Sequence, residues 1–315
     1  MKLLKLFGVF LMLGLVGQPA TAQERVDQEL EIPANARVVI DTMRGEVDIE
    51  GSETTTARVV GTLDKHAEKF IFELAGDTLT IKVEMPKRGN FRDDDGNDLV
   101  ISLPSSVRVE AKSVSADFNI KSFTSRVSAR SVSGDIQGKN LQGGAQLESV
   151  SGDIEASGTV GEVTFKSVSG DVKDYGSDSP RATYSTVSGD ITAKTNARVV
   201  RAEAVSGDVE LVLGNIDSLH VNTVSGESDI RLNADKEARV NVESVSGDVA
   251  MKFTGAVHAD IEARSNAGGE IINGLNNVPV EKSKYGVGQH LNLQMGERSG
   301  SMSFRTVSGD IKLEQ

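Results

Sequence analysis

The chain has 315 residues with 46 acidic against 34 basic side chains, and it contains neither Cys nor Trp. Its formal net charge of −12 argues against nucleic-acid binding, because a protein that neutralises phosphates needs a basic surface. The lack of Cys excludes disulfides, thiolate metal sites and cysteine nucleophiles, and the few aromatic residues, 10 Phe and 3 Tyr, predict a thin core of small side chains.

The first residues have the pattern of an export signal. Two lysines precede an apolar run from Leu6 to Val16, and the small residues Ala20 and Ala22 follow. This order predicts a signal peptide over residues 1–22. A membrane anchor is the alternative, but the run is short for roughly 30 Å of hydrocarbon. We therefore expect a mature chain that is exported to the periplasm or the cell surface and has no transmembrane segment.

Residues 23–105 carry alternating apolar and polar positions, which are typical of strands. The candidate strands are Arg37 to Asp41, Glu46 to Glu50, Ala57 to Leu63, Phe70 to Leu74, Thr78 to Glu84 and Leu99 to Leu103. We expect this region to be a β-rich N-terminal cap, because an uncovered sheet edge invites aggregation.

The densest acidic cluster of the chain spans residues 92–98. Asp93, Asp95 and Asn97 alternate as in a calcium loop, but Gly96 comes one position early and no Glu stands at the twelfth place. We favour a solvated hairpin loop and keep these three residues as weak candidates for a metal site.

A repeat governs the rest of the chain. The string VSGD followed by Ile or Val begins at Val132, Val150, Val168, Val187, Val205, Val245 and Val307, with variants at Val114 and Val224. From Val114 to Val245 the spacing stays between 18 and 21 residues. Such a constant pitch indicates a repeat architecture.

Each repeat has the pattern of strand, turn and strand. Apolar residues alternate before the motif, as at Val163 and Phe165, the Ser-Gly-Asp string is turn chemistry, and a strand restarts after it. A unit this short cannot bury its inner face alone, so copies must stack. We predict an all-β fold: a parallel β-solenoid, or β-helix, of about 18–20-residue coils over residues 106–272. An antiparallel sandwich is the competitor, and the tight pitch favours the solenoid.

The orientation of the motif valines is a separate question. The Ser, Thr or Ala before each Val is in phase with inward positions, which would point the Val outward. Because all nine positions are Val, we expect a bulge that turns them into the core.

The repeated acids have two readings. The nine turn residues are Asp117, Asp135, Asp153, Asp171, Asp190, Asp208, Asp229, Asp248 and Asp310. Stacked carboxylates repel and could bind Ca²⁺, whereas turn aspartates that hydrogen-bond their own turn need no cation. Calcium-binding β-rolls carry a denser Gly and Asp pattern, so we favour structural repeat turns.

No catalytic or cofactor-binding residue is predicted. The carboxylates recur with every coil, as structural turns do, and His66, His220, His258 and His290 have no metal-ligand spacing. Lys139, Lys166, Lys173 and Lys194 are interspersed with acids, and we expect no stripe of basic and aromatic side chains. Residues 273–315 are predicted to be an irregular segment that ends in a final repeat strand.

The motifs also resemble those of a known family. The signal pattern, the lead-in Ile101-Ser102-Leu103-Pro104 and the serial VSGDI strands are similar to a bacterial family of unknown function labelled "putative adhesin". The closing segment from Tyr285 to Gly288 and the strand from Thr306 to Ile311 look like that family's ending, so the resemblance covers residues 30–313. It implies an adhesin-like role and supplies no catalytic residues.

These observations favour an exported, non-enzymatic repeat protein of the cell envelope that acts as a binding or structural module. Its expected partner is an envelope polymer, a surface glycan or an envelope protein. An envelope-stress regulatory accessory protein with a membrane partner is the alternative. A polysaccharide-acting β-helix enzyme is a third hypothesis, and a cleft lined by non-repeating charged residues within 250–300 would favour it.

Overall fold

The computed structural model describes residues 23–88, 96–283 and 286–315. Within these ranges every regular element is a β-strand and no residue is helical, so the all-β prediction is confirmed. The predicted signal peptide, residues 1–22, lies outside the described residues. No helix long and apolar enough to cross a membrane occurs in the described part.

Most strands are short, because a corner follows after every few residues; the exceptions are two strands of 17 and 16 residues that continue through a corner. The N-terminal strands are β1 (Arg25–Glu31), β2 (Arg37–Asp41), β3 (Arg44–Ser52), β4 (Thr56–Thr62), β5 (Lys69–Ala75), β6 (Thr78–Glu84), β7 (Asn97–Pro104), β8 (Arg108–Lys112) and β9 (Ser115–Phe123). The central strands are β10 (Val127–Arg130), β11 (Ile136–Leu141), β12 (Ala145–Glu148), β13 (Ile154–Ser157), β14 (Val163–Lys166), β15 (Val172–Ser177), β16 (Arg181–Thr186), β17 (Ile191–Thr195) and β18 (Val199–Ser206). The C-terminal strands are β19 (Val209–Ser225), β20 (Ser228–Glu243), β21 (Val249–Phe253), β22 (Ala259–Ser265), β23 (Ile271–Asn273), β24 (Glu281–Lys282), β25 (Gln289–Gln294), β26 (Gly300–Thr306) and β27 (Ile311–Glu314).

Each repeat contributes one strand before the motif and one after it. The strand before the motif pairs with its equivalent in the next repeat, as β10 does with β12, and the strand after the motif does the same, as β11 does with β13. Both pairings are parallel with partners 18 residues apart. We call the surface of the strands before the motif the A face and that of the strands after it the B face. Together they form one long sheet that is nearly closed into a barrel-like solenoid.

The two ends of the stack are not in chain order. At the N-terminal end β2 lies between β6 and β8, and β3 lies between β7 and β9. At the other end β26 lies between β20 and β22, and the final strand, β27, lies between β21 and β23. The predicted final repeat strand is therefore an internal strand of the sheet. Antiparallel partners flank both ends: β4 on β7, β5 on β6, and β25 on β22.

The core is thin because large side chains on one face meet small ones on the other. Leu147, Phe165 and Tyr184 follow one another on the inside of the A face. On the inside of the B face Gly138 pairs with Ala156, and the space at Gly138 is filled by the side chains of Leu141 and, from the A face, Leu147. This complementarity gives close packing with few aromatic residues.

The motif valines point outward, so the predicted bulge is wrong. Their side chains are 41 to 47% exposed, a set made of Val114, Val132, Val150, Val168, Val187, Val205, Val224, Val245 and Val307. The two-residue alternation of the strand holds as far as the Val, because the residue before it is inward; it breaks only after the Val, where Val150 and Ser151 are both exposed and Gly152 is buried. A β-branched side chain favours extended backbone whether or not it is buried, and stacked valines cover one another in part.

Val168→Asp and Val172→Asp should differ sharply. Val172 is fully buried, and an unpaired charge there costs several kcal/mol. The carboxylate at 168 would lie in solvent, with an effect within about 0.5 kcal/mol. Urea unfolding of both variants measures the difference, and equal destabilisation would contradict the outward orientation.

Candidate functional site

In four successive coils the hydroxyl residue before the motif valine, which is Ser131, Ser149, Ser167 or Thr186, is a buried corner cap. Ser149 Oγ accepts a hydrogen bond from the backbone N–H of Gly152 at 2.9 Å and donates one to the carbonyl oxygen of Gly134 at 3.2 Å. Ser167 makes the same two contacts one coil further on. The hydroxyl thus closes its own turn and joins it to the preceding coil, which explains why Ser or Thr recurs here.

The motif glycines touch one another through the stack. A Cβ atom on Gly152 would lie 2.1 Å from the carbonyl oxygen of Gly134, which is a severe overlap. The same approach, at 1.8 to 2.2 Å from the backbone oxygen of the neighbouring coil, recurs at Gly134, Gly170, Gly189, Gly207, Gly226, Gly247, Gly269 and Gly309. The motif requires Gly because the backbones of successive corners leave no room for a side chain.

Gly152→Ala should therefore destabilise the protein by more than about 2 kcal/mol, since only backbone movement relieves the overlap. Gly138→Ala is the matched control: its new methyl group would meet the side chains of Leu141 and Leu147 at 3.1 and 3.3 Å, which can adjust. Thermal unfolding compares the two. A larger loss for Gly138→Ala would contradict the role of the corner.

The repeated aspartates connect neighbouring coils. The backbone N–H of Asp153 donates to Oδ1 of Asp135 at 2.8 Å, and the N–H of Asp171 donates to Oδ1 of Asp153 at 2.8 Å. Eight such bonds of 2.7 to 3.0 Å occur among the described residues, with acceptors Asp117, Asp135, Asp153, Asp171, Asp190, Asp208, Asp248 and Asp310. The carboxylate bonds the next coil, whereas the sequence reading expected a bond within its own turn.

Asp229 does not occupy this ladder. In the variant repeat VSGESDI the backbone N–H that donates to Asp208 belongs to Glu227, at 2.8 Å. Asp229 lies two residues later in β20 and faces Arg231 at 3.6 Å. The two inserted residues move the Asp out of the turn, so Glu227 is the residue equivalent to the other turn acids.

The weak metal candidates are only partly described. Asp93 and Asp95 lie outside the described residues. Asn97 is buried: its Oδ1 accepts the N–H of Asp64 at 2.9 Å, and its Nδ2 donates to Thr42 Oγ1 at 2.9 Å and to the carbonyl oxygen of Arg44 at 3.0 Å. These bonds tie β7 to the chain around β3. Across the described residues no group of three or more His, Asp or Glu side chains could hold a metal ion.

One buried carboxyl group, that of Asp174, stands at a position where the neighbouring repeats have a small apolar residue. Asp174 is fully buried on the B face, where its register partners are Ala156 and Ala193. Its Oδ2 accepts hydrogen bonds from Tyr184 Oη and Ser177 Oγ, both at 2.6 Å. Burial raises the pKa of Asp174, and the hydrogen bonds oppose this only in part. Burial, together with the nearby carboxylate, also raises the pKa of Tyr184 well above its usual value.

The pKa of Asp171, three residues earlier, is shifted in the opposite direction. The backbone N–H of Asp190 and, more weakly, Lys173 at 3.1 Å lower the pKa of its carboxyl group. A lowered pKa in the folded state adds stability at neutral pH that is lost as pH falls. A raised carboxyl pKa has the opposite effect. The folded state keeps its proton to a higher pH than the unfolded state does, so the free energy of unfolding falls as pH rises through the folded pKa.

Asp171→Asn and Asp174→Asn should therefore shift stability in opposite directions. At pH 7 we expect Asp171→Asn to unfold at lower denaturant concentration than the parent and Asp174→Asn at higher. The Asp174→Asn difference should shrink as pH falls toward about 4, the ordinary pKa of Asp, because the buried carboxyl of the parent is then neutral. The Asp171→Asn difference should shrink only below about pH 4, because the folded carboxylate of Asp171 stays ionised to lower pH. Shifts of the same sign, or shifts independent of pH, would contradict these assignments.

The B face carries a row of basic side chains that the sequence does not show as a stripe. In successive coils the outward position holds Lys121, Lys139, Ser157, Tyr175, Lys194, Val212, Arg231 and Lys252, as the parallel register shows. We call this the basic row. Lys139 and Lys194 belong to this row together with one aromatic side chain, Tyr175, because residues 18 or more positions apart become neighbours in the stack. Lys166 lies on the A face, in β14.

A notch interrupts the basic row. At Ser157 the side chain is short, so a cleft of about 490 Å³ opens with Lys139 on one side and Tyr175 on the other. Gln137 and Glu155 line the same cleft from the neighbouring outward positions. Tyr175 is 54% exposed, the most exposed tyrosine ring of the described chain.

A second cleft lies near the C-terminal end of the stack. It has a volume of about 480 Å³, and its lining includes Arg264, Glu281, Lys282 and His290. His290 Nε2 lies 4.0 Å from Glu262 Oε1. These charged residues do not repeat along the coils, so this is the kind of cleft that the enzyme hypothesis requires. The other histidines are apart from it: His220 contacts Asn222 and Asn241, and His258 accepts the N–H of Glu297.

Similar solved structures cover most of the chain at low identity. A "putative adhesin" from Parabacteroides distasonis is 14% identical, with 74% of this chain and 96% of that chain covered and a TM-score of 0.47. A "putative adhesin" from Bacteroides fragilis is 12% identical, with 93% and 98% covered and a TM-score of 0.39. A "putative lipid binding protein" from Parabacteroides distasonis is 12% identical, with 92% and 97% covered and a TM-score of 0.41.

No curated protein matches the sequence significantly. A family model does: the model described as Toastrack DUF4097 matches residues 35–285. This is well over half of the chain, which therefore belongs to that family.

Proposed function

We propose that this member of the Toastrack DUF4097 family is an exported, non-enzymatic, adhesin-like binding module of the cell envelope. The observation that carries the proposal is that one set of residues in the repeat holds the coils together and a different set faces solvent. The Ser, Gly and Asp of the regular corners form contacts within the stack, whereas the side chains of the basic row project outward from a long surface. Such a surface suits an extended partner.

The architecture in this proposal is a parallel β-solenoid closed by an N-terminal cap over residues 23–105. The parallel pairing at an 18-residue offset supports the first part. The antiparallel strands β1, β4 and β5 support the second, since they flank the outermost coil, formed by β6 and β7.

The sequence pattern of residues 1–22 supports the proposed export. We expect fractionation with protease shaving of intact cells to find the mature chain, starting at Gln23, in the periplasm or on the surface. Ala22→Tyr should leave the precursor uncut, because the cleavage site needs a small residue there. A full-length chain that stays in the cytoplasm would contradict the proposal.

The binding role is tested with the immobilised mature chain and purified envelope polymers. We expect retention of polymer without release of new reducing ends. Release of reducing ends that is abolished by Glu281→Gln or His290→Ala would instead support the polysaccharide-acting enzyme, because both residues line the C-terminal cleft.

The regulatory alternative predicts a different result in living cells. An envelope-stress accessory protein should crosslink to one dominant membrane protein, whereas a polymer-binding module should not. The C-terminal cleft gives this alternative no specific support, and the long basic row favours the polymer.

A further inference from the structure

We propose that the notch at Ser157 in the basic row is a binding subsite for one unit of an anionic polysaccharide, whose chain runs along the B face. The inference rests on the proposed function and names its ligand class and its site.

Charge is the first argument. Lys139 and Lys194 flank the notch region on the same outward row, and neither has a carboxylate partner within 4.0 Å among the described residues. Lys121 and Arg231, further along, are paired with Glu50 at 3.4 Å and Asp229 at 3.6 Å. The two unpaired ammonium groups are therefore free to attract an anion, although the chain as a whole is acidic.

The aromatic ring is the second argument. Tyr175 is 54% exposed although the core of this protein has few large side chains to spare. It stands next to Lys194 in register. An exposed ring next to cations suits the apolar face of a sugar that carries a negative group.

Shape and hydrogen bonding are the third argument. The cleft of about 490 Å³ is in the range of small-molecule subsites, which is roughly 300 to 1,000 Å³. Lys139 and Tyr175 are two strand spacings apart, or about 10 Å, which leaves room for one ring between them. Gln137, Ser157 and Glu155 supply donors and acceptors for hydroxyl groups on its floor and edge.

The length of the basic row favours a polysaccharide over a monosaccharide as the ligand. From Lys121 to Lys252 there are seven strand spacings, roughly 34 Å. Single contacts between exposed groups are weak and are screened by salt. A polymer that touches several cations in succession gains from effective concentration.

The test uses isothermal titration calorimetry on the mature chain, residues 23–315. The probes are an oligogalacturonate, which carries carboxylates, and a phosphomannan oligosaccharide, which carries phosphates. A neutral galactan oligosaccharide controls for charge, and polyphosphate controls for the sugar ring. We expect one of the two anionic saccharides to bind with an affinity that rises with oligomer length and falls with salt, and the neutral galactan to bind weakly.

The variants locate the site. Tyr175→Ala should weaken saccharide binding about tenfold, which is about 1.4 kcal/mol, and should leave polyphosphate unaffected. Lys139→Ala with Lys194→Ala should weaken both. Lys166→Ala makes the same charge change on the A face and should alter neither. All four positions are outward, so unchanged thermal unfolding verifies that the variants are folded.

Three results would overturn the inference: no binding of either anionic saccharide, equal loss with Lys166→Ala, or binding that Tyr175→Ala does not change. If the mature chain is still found in the envelope and still retains envelope polymers in those cases, the proposed function stands without this site. A cytoplasmic chain would remove the proposed function itself.

Discussion

The structure depends on the close approach of backbone to backbone at the repeat corner. Each motif Gly lies against the carbonyl oxygen of the equivalent residue in the neighbouring coil, and this contact is possible only without a side chain. Once the corners touch, the buried hydroxyl on one side and the Asp carboxylate on the other can both reach the adjacent coil. A coil of 18 residues has little core of its own, so this polar stacking and the burial of Val, Ile and Ala side chains must act together.

The motif can now be explained residue by residue. The buried Ser caps its turn, the Val stays outward on extended backbone, the second Ser is exposed, the Gly permits contact and the Asp bonds the next N–H. The Ile or Val after the Asp begins the inner ladder of the B face, where Ile136, Ile154 and Val172 are fully buried. The acidic excess of the chain is therefore partly structural, because each turn carboxylate accepts a backbone hydrogen bond.

The sequence was sufficient for the strands, the repeat and the position of the turns, because these depend on local pattern, but it did not show that the turn Asp bonds the next coil. It was misleading for the valines: the alternation pointed outward, and the uniformity of the nine residues was wrongly taken as a sign of burial. The basic row was missed because its members are dispersed among acids along the chain and are aligned only by the stacking register. The insertion of β27 between β21 and β23 has no local signal either. Asp174 did have a local signal, because aligning the repeats places it at the position that Gly138, Ala156 and Ala193 occupy in other coils.

Departures from the repeat, rather than the repeat itself, are the places where function can differ from scaffold. Asp174 and Tyr184 put a titratable pair inside the stack, and the short side chain of Ser157 opens a notch beside an exposed tyrosine. Both occur in the same stretch of coils, between β11 and β17. The regular corners provide a rigid scaffold, and a few residues that differ from their equivalents in other repeats give it chemical groups that the repeated motif lacks.

Native-state hydrogen exchange at the corners tests the central claim most directly, because it reports whether the corner N–H groups are bonded between coils. The account predicts that the amides of Asp153, Asp171 and Asp190, which donate to the Asp carboxylate of the preceding coil, exchange as slowly as those of the flanking strands, although the Asp side chains are exposed to solvent. Exchange at the rate of an open surface turn, with protected strands on either side, would contradict it.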